Sequence, residues 1–145
     1  MAIRRARTAD LDALLSLIAD YCAIDEHAYD EARVRAALVP LLDDDRFGVV
    51  LVADAGDGLI GYAVITWGWS LESGGMECLL DEIYVADRGQ GTGSALLTAG
   101  LDAARAHGAR TMFLETEAPN ERARAFYARH GFTLEDSQWM GRRLH

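Results

Sequence analysis

The chain's 145 residues suffice for one ordinary domain, and 50% hydrophobic against 26% charged residues is the balance of a globular protein with a real core. The formal net charge of −9 argues against a nucleic-acid partner, which needs a basic patch, and permits a cationic acceptor, beside the plainer reading that the charge only maintains solubility. Cys22 and Cys78 each lie in an apolar stretch, which predicts two buried thiols and a reducing cytoplasm; Met1 is followed by no apolar signal segment and no apolar run reaches membrane-spanning length, so no membrane partner is expected.

With no linker, repeat or low-complexity tract, residues 1–145 read as a single domain. Ala2 to Arg7 predicts a short strand. Thr8-Ala9-Asp10 offers N-caps to a helix whose inner face is Leu11, Leu14, Leu15 and Ile18. A second helix is predicted from about Asp30 to Leu42, with Val34, Ala37, Leu38 and Leu41 facing inward. Phe47–Ala53 and Leu59–Trp69 flank the turn signal Gly56-Asp57-Gly58 and predict a hairpin; Ser73-Gly74-Gly75 turns the chain into a further strand, Glu77–Val85. Trp67 and Trp69, two apart, place both indoles on one face, read as core packing in preference to an acceptor wall. Beyond the glycine-rich residues 88–93, a helix is predicted from about Ser94 to His107, ended by Gly108. Arg110–Glu117 predicts a strand, and Glu121–His130 a helix between Asn120 and Gly131. Phe132–Leu134 and Gln138–Leu144 predict two closing strands. The order is α/β in mixed arrangement (α+β), with antiparallel pairs first and one strand-helix-strand crossover after them.

Chemistry concentrates in the run from Asp81 to Leu97. A buried strand enters a glycine-rich turn that opens a helix. There, exposed backbone N–H groups and the positive end of the helix dipole make an anion site. Gly91 and Gly93 let phosphate oxygens approach the backbone, and Arg88 adds a fixed positive charge, so a diphosphate is the natural ligand. Asp81 and Glu82, just ahead of the strand's end, are candidate bases for an acceptor amine, which arrives protonated at neutral pH. Alternation puts the two on opposite faces, Asp81 with Ile83 and Val85, Glu82 with Tyr84, and leaves open which of them faces the site. Glu72, Glu77, Glu115 and Glu117 would add to the attraction of a cation if they line one cleft. The four histidines show no metal-ligand spacing, and no metal is expected.

Arg88, Gly91 and Gly93 at this spacing, followed by Asn120, Ala125, Phe126-Tyr127 and Gly131-Phe132, resemble the GNAT superfamily of N-acetyltransferases from about Leu59 to the C-terminus. The turn departs from the family's pattern: only Ala86 and Asp87 separate Val85 from Arg88, so it is tighter than usual. The resemblance implies a mostly antiparallel central sheet of six to seven strands with four helices, and acetyl transfer from acetyl-CoA to a primary amine of a small-molecule or peptide acceptor. Backbone groups of Ile83 and Val85 would meet the pantetheine arm. Amides from Arg88 through Gly89, Gln90, Gly91, Thr92 and Gly93 to Ser94 would hold the pyrophosphate. Asn120 would lie near the pantetheine or diphosphate, and Tyr127 would protonate the leaving thiolate. A homodimer is compatible with the resemblance. Two other readings stand beside it: a non-catalytic acyl-CoA-binding sensor or subunit, and a nucleotide-dependent enzyme. The latter rests on Gly89-Gln90-Gly91-Thr92-Gly93-Ser94, which nearly matches a dinucleotide fingerprint, with Glu115 at the end of the next strand. Ser94 where that fingerprint wants Gly or Ala speaks against it.

Overall fold

A computed structural model describes residues 1–117 and 119–145, which form two compact units, Met1–Leu114 and Glu115–His145. The first holds one sheet of five strands in sequence order: β1 (Ala2–Arg5), β2 (Gly48–Asp54), β3 (Leu59–Ser70), β4 (Gly75–Val85) and β5 (Met112–Phe113). Neighbours from β1 to β4 run antiparallel. β5 lies parallel to β4, reached through the crossover helix α3 (Thr92–Ala106). α1 (Leu11–Ile24) and α2 (Glu31–Asp43) join β1 to β2. The mostly antiparallel mixed sheet and the helices before and after it are those expected.

Alternation divides the sheet's side chains between two layers. Val50 and Val52 of β2 and Tyr62 and Val64 of β3 pack with Leu14, Leu15, Leu17 and Ile18 of α1 and Leu38 and Leu42 of α2. On the other face α3 approaches Ile65 so closely that a Cβ at Gly100 would lie 2.8 Å from its Cδ1. Leu14 is completely buried, and truncation to Ala would cost about 2–5 kcal/mol.

Several local expectations change. α2 begins where expected, with Asp30 as its cap accepting from Arg33 N–H at 3.2 Å, but Ala37 is exposed and Leu42 takes the buried place. Asp10 does not cap α1. Its carboxylate accepts both terminal nitrogens of Arg4 (2.8 and 2.9 Å) and Arg7 N–H (2.7 Å), and Arg4 also reaches Asp54 at 3.1 Å. The strand predicted over 110–117 shortens to Met112–Phe113, because its ladder with β4 runs only as far as Leu79. Trp67 is half-buried, stacked at 4.1 Å on the ring of His107, whereas Trp69 is 75% exposed and is no part of the core. Cys78 is buried and Cys22 half-buried, both free thiols.

The second unit holds α4 (Glu121–Arg129). Its N-cap is Asn120, whose side chain accepts from Ala123 N–H at 3.0 Å. Residues 132–145 form no strand, so the sheet has five strands among the described residues and the two predicted closing strands are absent. Apolar alternation marks a segment able to pair; a strand forms only where a neighbouring backbone takes up its N–H and C=O groups. No helix among the described residues is long and apolar enough to cross a membrane.

Candidate active site

The register of β3 against β4 places the first candidate base. Ile65 pairs with Leu80 and Val64 with Glu82, so Asp81 is the extra residue of a β-bulge. A bulge breaks strict alternation. Asp81 falls out of the pattern that would have set it with Ile83 and Val85, and it is exposed. Glu82 shares the face of Tyr84, opposite Val64 and diagonal to Tyr62, toward the layer of α1.

There Glu82 is half-buried and its Oε1 accepts the hydroxyl of Tyr62 at 2.7 Å. Burial holds the Glu82 carboxyl above the ordinary range. The Tyr62 hydrogen bond pulls it back, the charge of Asp81 pushes it up and that of His27 pulls it down. The Tyr62 ring is completely buried, and burial followed by the Glu82 charge drives its phenol far above the tyrosine range, so it is a donor at every relevant pH. Tyr84 lies against Tyr62 (6.1 Å between centroids) and against Tyr21 of α1 (5.9 Å). The Cys22 thiol is pushed up by burial and by Glu82. Tyr62 escaped the sequence reading. Its one signal would have been a cross-strand count from the hairpin, and the bulge defeats that count.

The ladder between β4 and β5 ends at Leu79, two residues before the bulge. Their bonding runs from Arg110 N–H on Met76 O and Cys78 N–H on Thr111 O (both 2.9 Å) to the Leu79–Phe113 pair. Past this point no strand of the first unit pairs with that edge of β4. Ala86 N–H donates to Ile60 O at 2.9 Å, toward β3. By alternation the backbone N–H and C=O groups of Ile83 and Val85 face away from β3, onto the open edge.

The strand ends in the glycine-rich turn. Arg88, Gly89 and Gln90 are exposed, and Gln90 Nε2 donates to Asp87 Oδ2 at 3.1 Å. Gly91 is the N-cap of α3 with φ +76°, the left-handed conformation that favours glycine. A Cβ at Gly89 or Gly91 would meet no atom within 4 Å, so both lie against open space. Thr92, Gly93 and Ser94 form the first turn of the helix, with Thr92 buried. An anion could lie on this turn beside the backbone donors of Thr92 and Gly93.

Of the four further acids, Glu77 is engaged with the Ser73 hydroxyl at 2.7 Å, and Glu72 lies in the same hairpin, at the opposite end of β4 from Val85. Neither joins Glu82. Glu115 and Glu117 belong to the second unit and are exposed.

In that unit Tyr127 sits on α4, half-buried, edge-on to Phe126 (5.2 Å) and Phe132 (5.8 Å). Burial raises its phenol above the usual range, so it carries its proton at neutral pH. Asn120 spends its side-chain oxygen on the helix cap, leaving its amide N–H groups as donors for any ligand.

The fold is a mostly antiparallel sheet with a glycine-led helix after β4, and comparison with known proteins gives the family. Residues 11–132 match the Acetyltransferase (GNAT) family, and the chain belongs to that family. An uncharacterized N-acetyltransferase of Bacillus subtilis (strain 168), YhfO, is 31% identical over 134 residues, spanning 91% of this chain and 89% of that one. The L-methionine sulfoximine/L-methionine sulfone acetyltransferase of Pseudomonas aeruginosa is 29% identical over 140 residues, spanning 92% of this chain and 80% of that one. Among solved structures, an integron cassette protein from the mobile metagenome of Cole Harbour Salt Marsh aligns with a TM-score of 0.87 and 26% identity, over 99% of this chain and 90% of its own.

Proposed function

We propose that this acetyltransferase moves an acetyl group from acetyl-CoA to the primary amine of a small, cationic acceptor, with Glu82 as base and Tyr127 as acid. The observation that carries the reading is the half-buried Glu82 carboxylate on β4, next to a strand edge with which no strand among the described residues pairs past Leu79. The residues present fit the donor. The Ile83 and Val85 backbone groups can pair with an amide-bearing arm as an added strand would. The open glycine turn, Arg88 and the first-turn donors of α3 suit a diphosphate. When bound, acetyl-CoA supplies a thioester activated for acyl transfer.

The chain's own groups handle the protons. Glu82 holds the incoming ammonium by charge and takes one proton from it, directly or through a water, which frees the nitrogen lone pair for attack. As the C–N bond forms and the C–S bond breaks, the nitrogen sheds its second proton to solvent, while Tyr127, protonated at neutral pH, gives its proton to the departing sulfur and takes one back from water. The net charge of −9 raises the local concentration of a cationic acceptor, and the relative named for methionine sulfoximine and methionine sulfone supports a small molecule in that role. Thiol release from acetyl-CoA, followed across polyamines, amino-acid analogues, aminosugars and lysine peptides, tests the reading. Turnover with at least one amine is expected. Binding of acetyl-CoA with no thiol released for any acceptor class would overturn catalysis in favour of a sensor.

A further inference from the structure

We propose that Tyr62 is a positioning residue for acetyl transfer: its hydroxyl fixes Oε1 of Glu82 and presents the other carboxylate oxygen to the acceptor's ammonium group. The proposal rests on Glu82 as the base.

Three features of the first unit carry it. The bond is short, 2.7 Å, and its donor comes from a tyrosine with no exposed surface, so the phenol has a fixed ring and a fixed direction. Tyr84 packs on that ring from the neighbouring strand, and Tyr21 packs on Tyr84 from α1. The bulge is what makes the pair possible. If the register Ile65–Leu80 continued without it, Glu82 would stand opposite Ala63, on the face of Ile65 and α3, and the Tyr62 hydroxyl would lose this partner.

The consequence for protons follows from which form the bond favours. A hydroxyl donating to a carboxylate stabilises the charged form, the form a base needs. The other groups facing Glu82 divide. Asp81 on its own strand opposes its ionisation, His27 beyond α1 assists it, and Cys22 of α1, with its proton held on, adds no charge at neutral pH. Tyr62 adds the hydrogen bond that offsets part of the cost of burial.

The test compares pH–rate profiles of wild type, Y62F, E82Q and D81N, using the best amine acceptor and thiol release, with acetyl-CoA affinity measured by calorimetry. E82Q is expected to lose about 10²-fold or more in rate. Y62F should move the acidic limb upward by about one pH unit, recover toward wild-type rate at high pH, and keep its acetyl-CoA affinity. D81N removes a charge that opposes ionisation of Glu82, so its acidic limb should move downward, opposite to that of Y62F. Should Y62F fail to fold, E82D serves instead. It leaves the core intact, withdraws the carboxylate from the hydroxyl by one methylene, and should still move the limb upward, by about half a pH unit, because the lower ordinary pKa of aspartate offsets the rest. An impaired E82Q with an unmoved limb in Y62F, or in E82D where that stands in, overturns the positioning role and leaves Glu82 as base. Wild-type activity in E82Q overturns Glu82 as base, and Tyr62 with it.

Discussion

Glu82 and Tyr62 lie twenty positions apart on two strands and meet only because a bulged register puts them on one face. Asn120, Phe126, Tyr127 and Phe132, in the second unit, sit on one short helix and its flanks. Their contacts are a cap to Ala123 N–H and ring edges between near neighbours. The first arrangement depends on the paired, bulged ladder of β3 and β4; the contacts described for the second lie within one helix and its flanks. Substitutions should therefore act differently in the two units. Those around Tyr62 couple stability to chemistry, whereas the hydroxyl of Tyr127 can be removed with its ring packing kept.

The largest effect should come from that separable group. Tyr127→Phe keeps the ring edges to Phe126 and Phe132 and removes the proton donor, so kcat should fall by about 10²- to 10⁴-fold with acetyl-CoA affinity nearly unchanged. Steady-state kinetics beside calorimetry decides it, and wild-type turnover removes Tyr127 from the mechanism. Next comes the glycine turn of the first unit. Gly91→Val should weaken acetyl-CoA binding at least tenfold, about 1.4 kcal/mol. Valine is also strained at φ +76°, so Gly91→Asn, which tolerates the left-handed region, separates the two causes. If the Asn variant binds like wild type, the glycine serves the turn and not the diphosphate.

The smallest effect concerns stability alone. The Arg4 guanidinium, hydrogen-bonded to Asp10, holds that carboxyl down at about 2 from an ordinary 3.8, with Arg7 N–H assisting and partial burial opposing. A depressed carboxyl stabilises the fold above its unfolded value, and that contribution disappears as pH falls from about 4 toward 2. After solvent screening it amounts to about 1 kcal/mol. Arg4→Ala should lose this at neutral pH and show a flatter stability curve across the acid range. Urea titrations at several pH values would measure it, and an unchanged slope would mean the ion pair contributes little.

Much of the fold was legible because the signals were local. Asn120 caps α4, Gly131 stands left-handed at its end, the glycine turn opens α3 at Gly91, and continuous apolar runs mark β2 and β3. Asp10 misled because its carboxylate is taken by Arg4, a partner that only the β1 turn brings near. Trp69 misled because sharing a face with Trp67 says nothing about where that face ends. The candidate site divides the same way. Arg88 through Ser94 stood out as an anion site from their spacing between strand and helix, and Tyr127 only through the family resemblance. The roles of Asp81 and Glu82 stayed open, and Tyr62 stayed invisible, because both depend on one extra residue in a ladder that sequence alternation assumes to be regular.

That extra residue also bears on how the chain length can vary. With Ile65–Leu80 and Val64–Glu82 on either side, a chain lacking residue 81 would close both pairs into one uninterrupted ladder, every side chain keeping its present face. Losing residue 80 instead would carry the Asp81 carboxylate into the buried place opposite Ile65, and losing residue 82 would set a shorter acid opposite Val64. Strand β4 thus has one position where an alignment gap is structurally silent, and a gap placed a residue to either side would misname the acid that faces Tyr62.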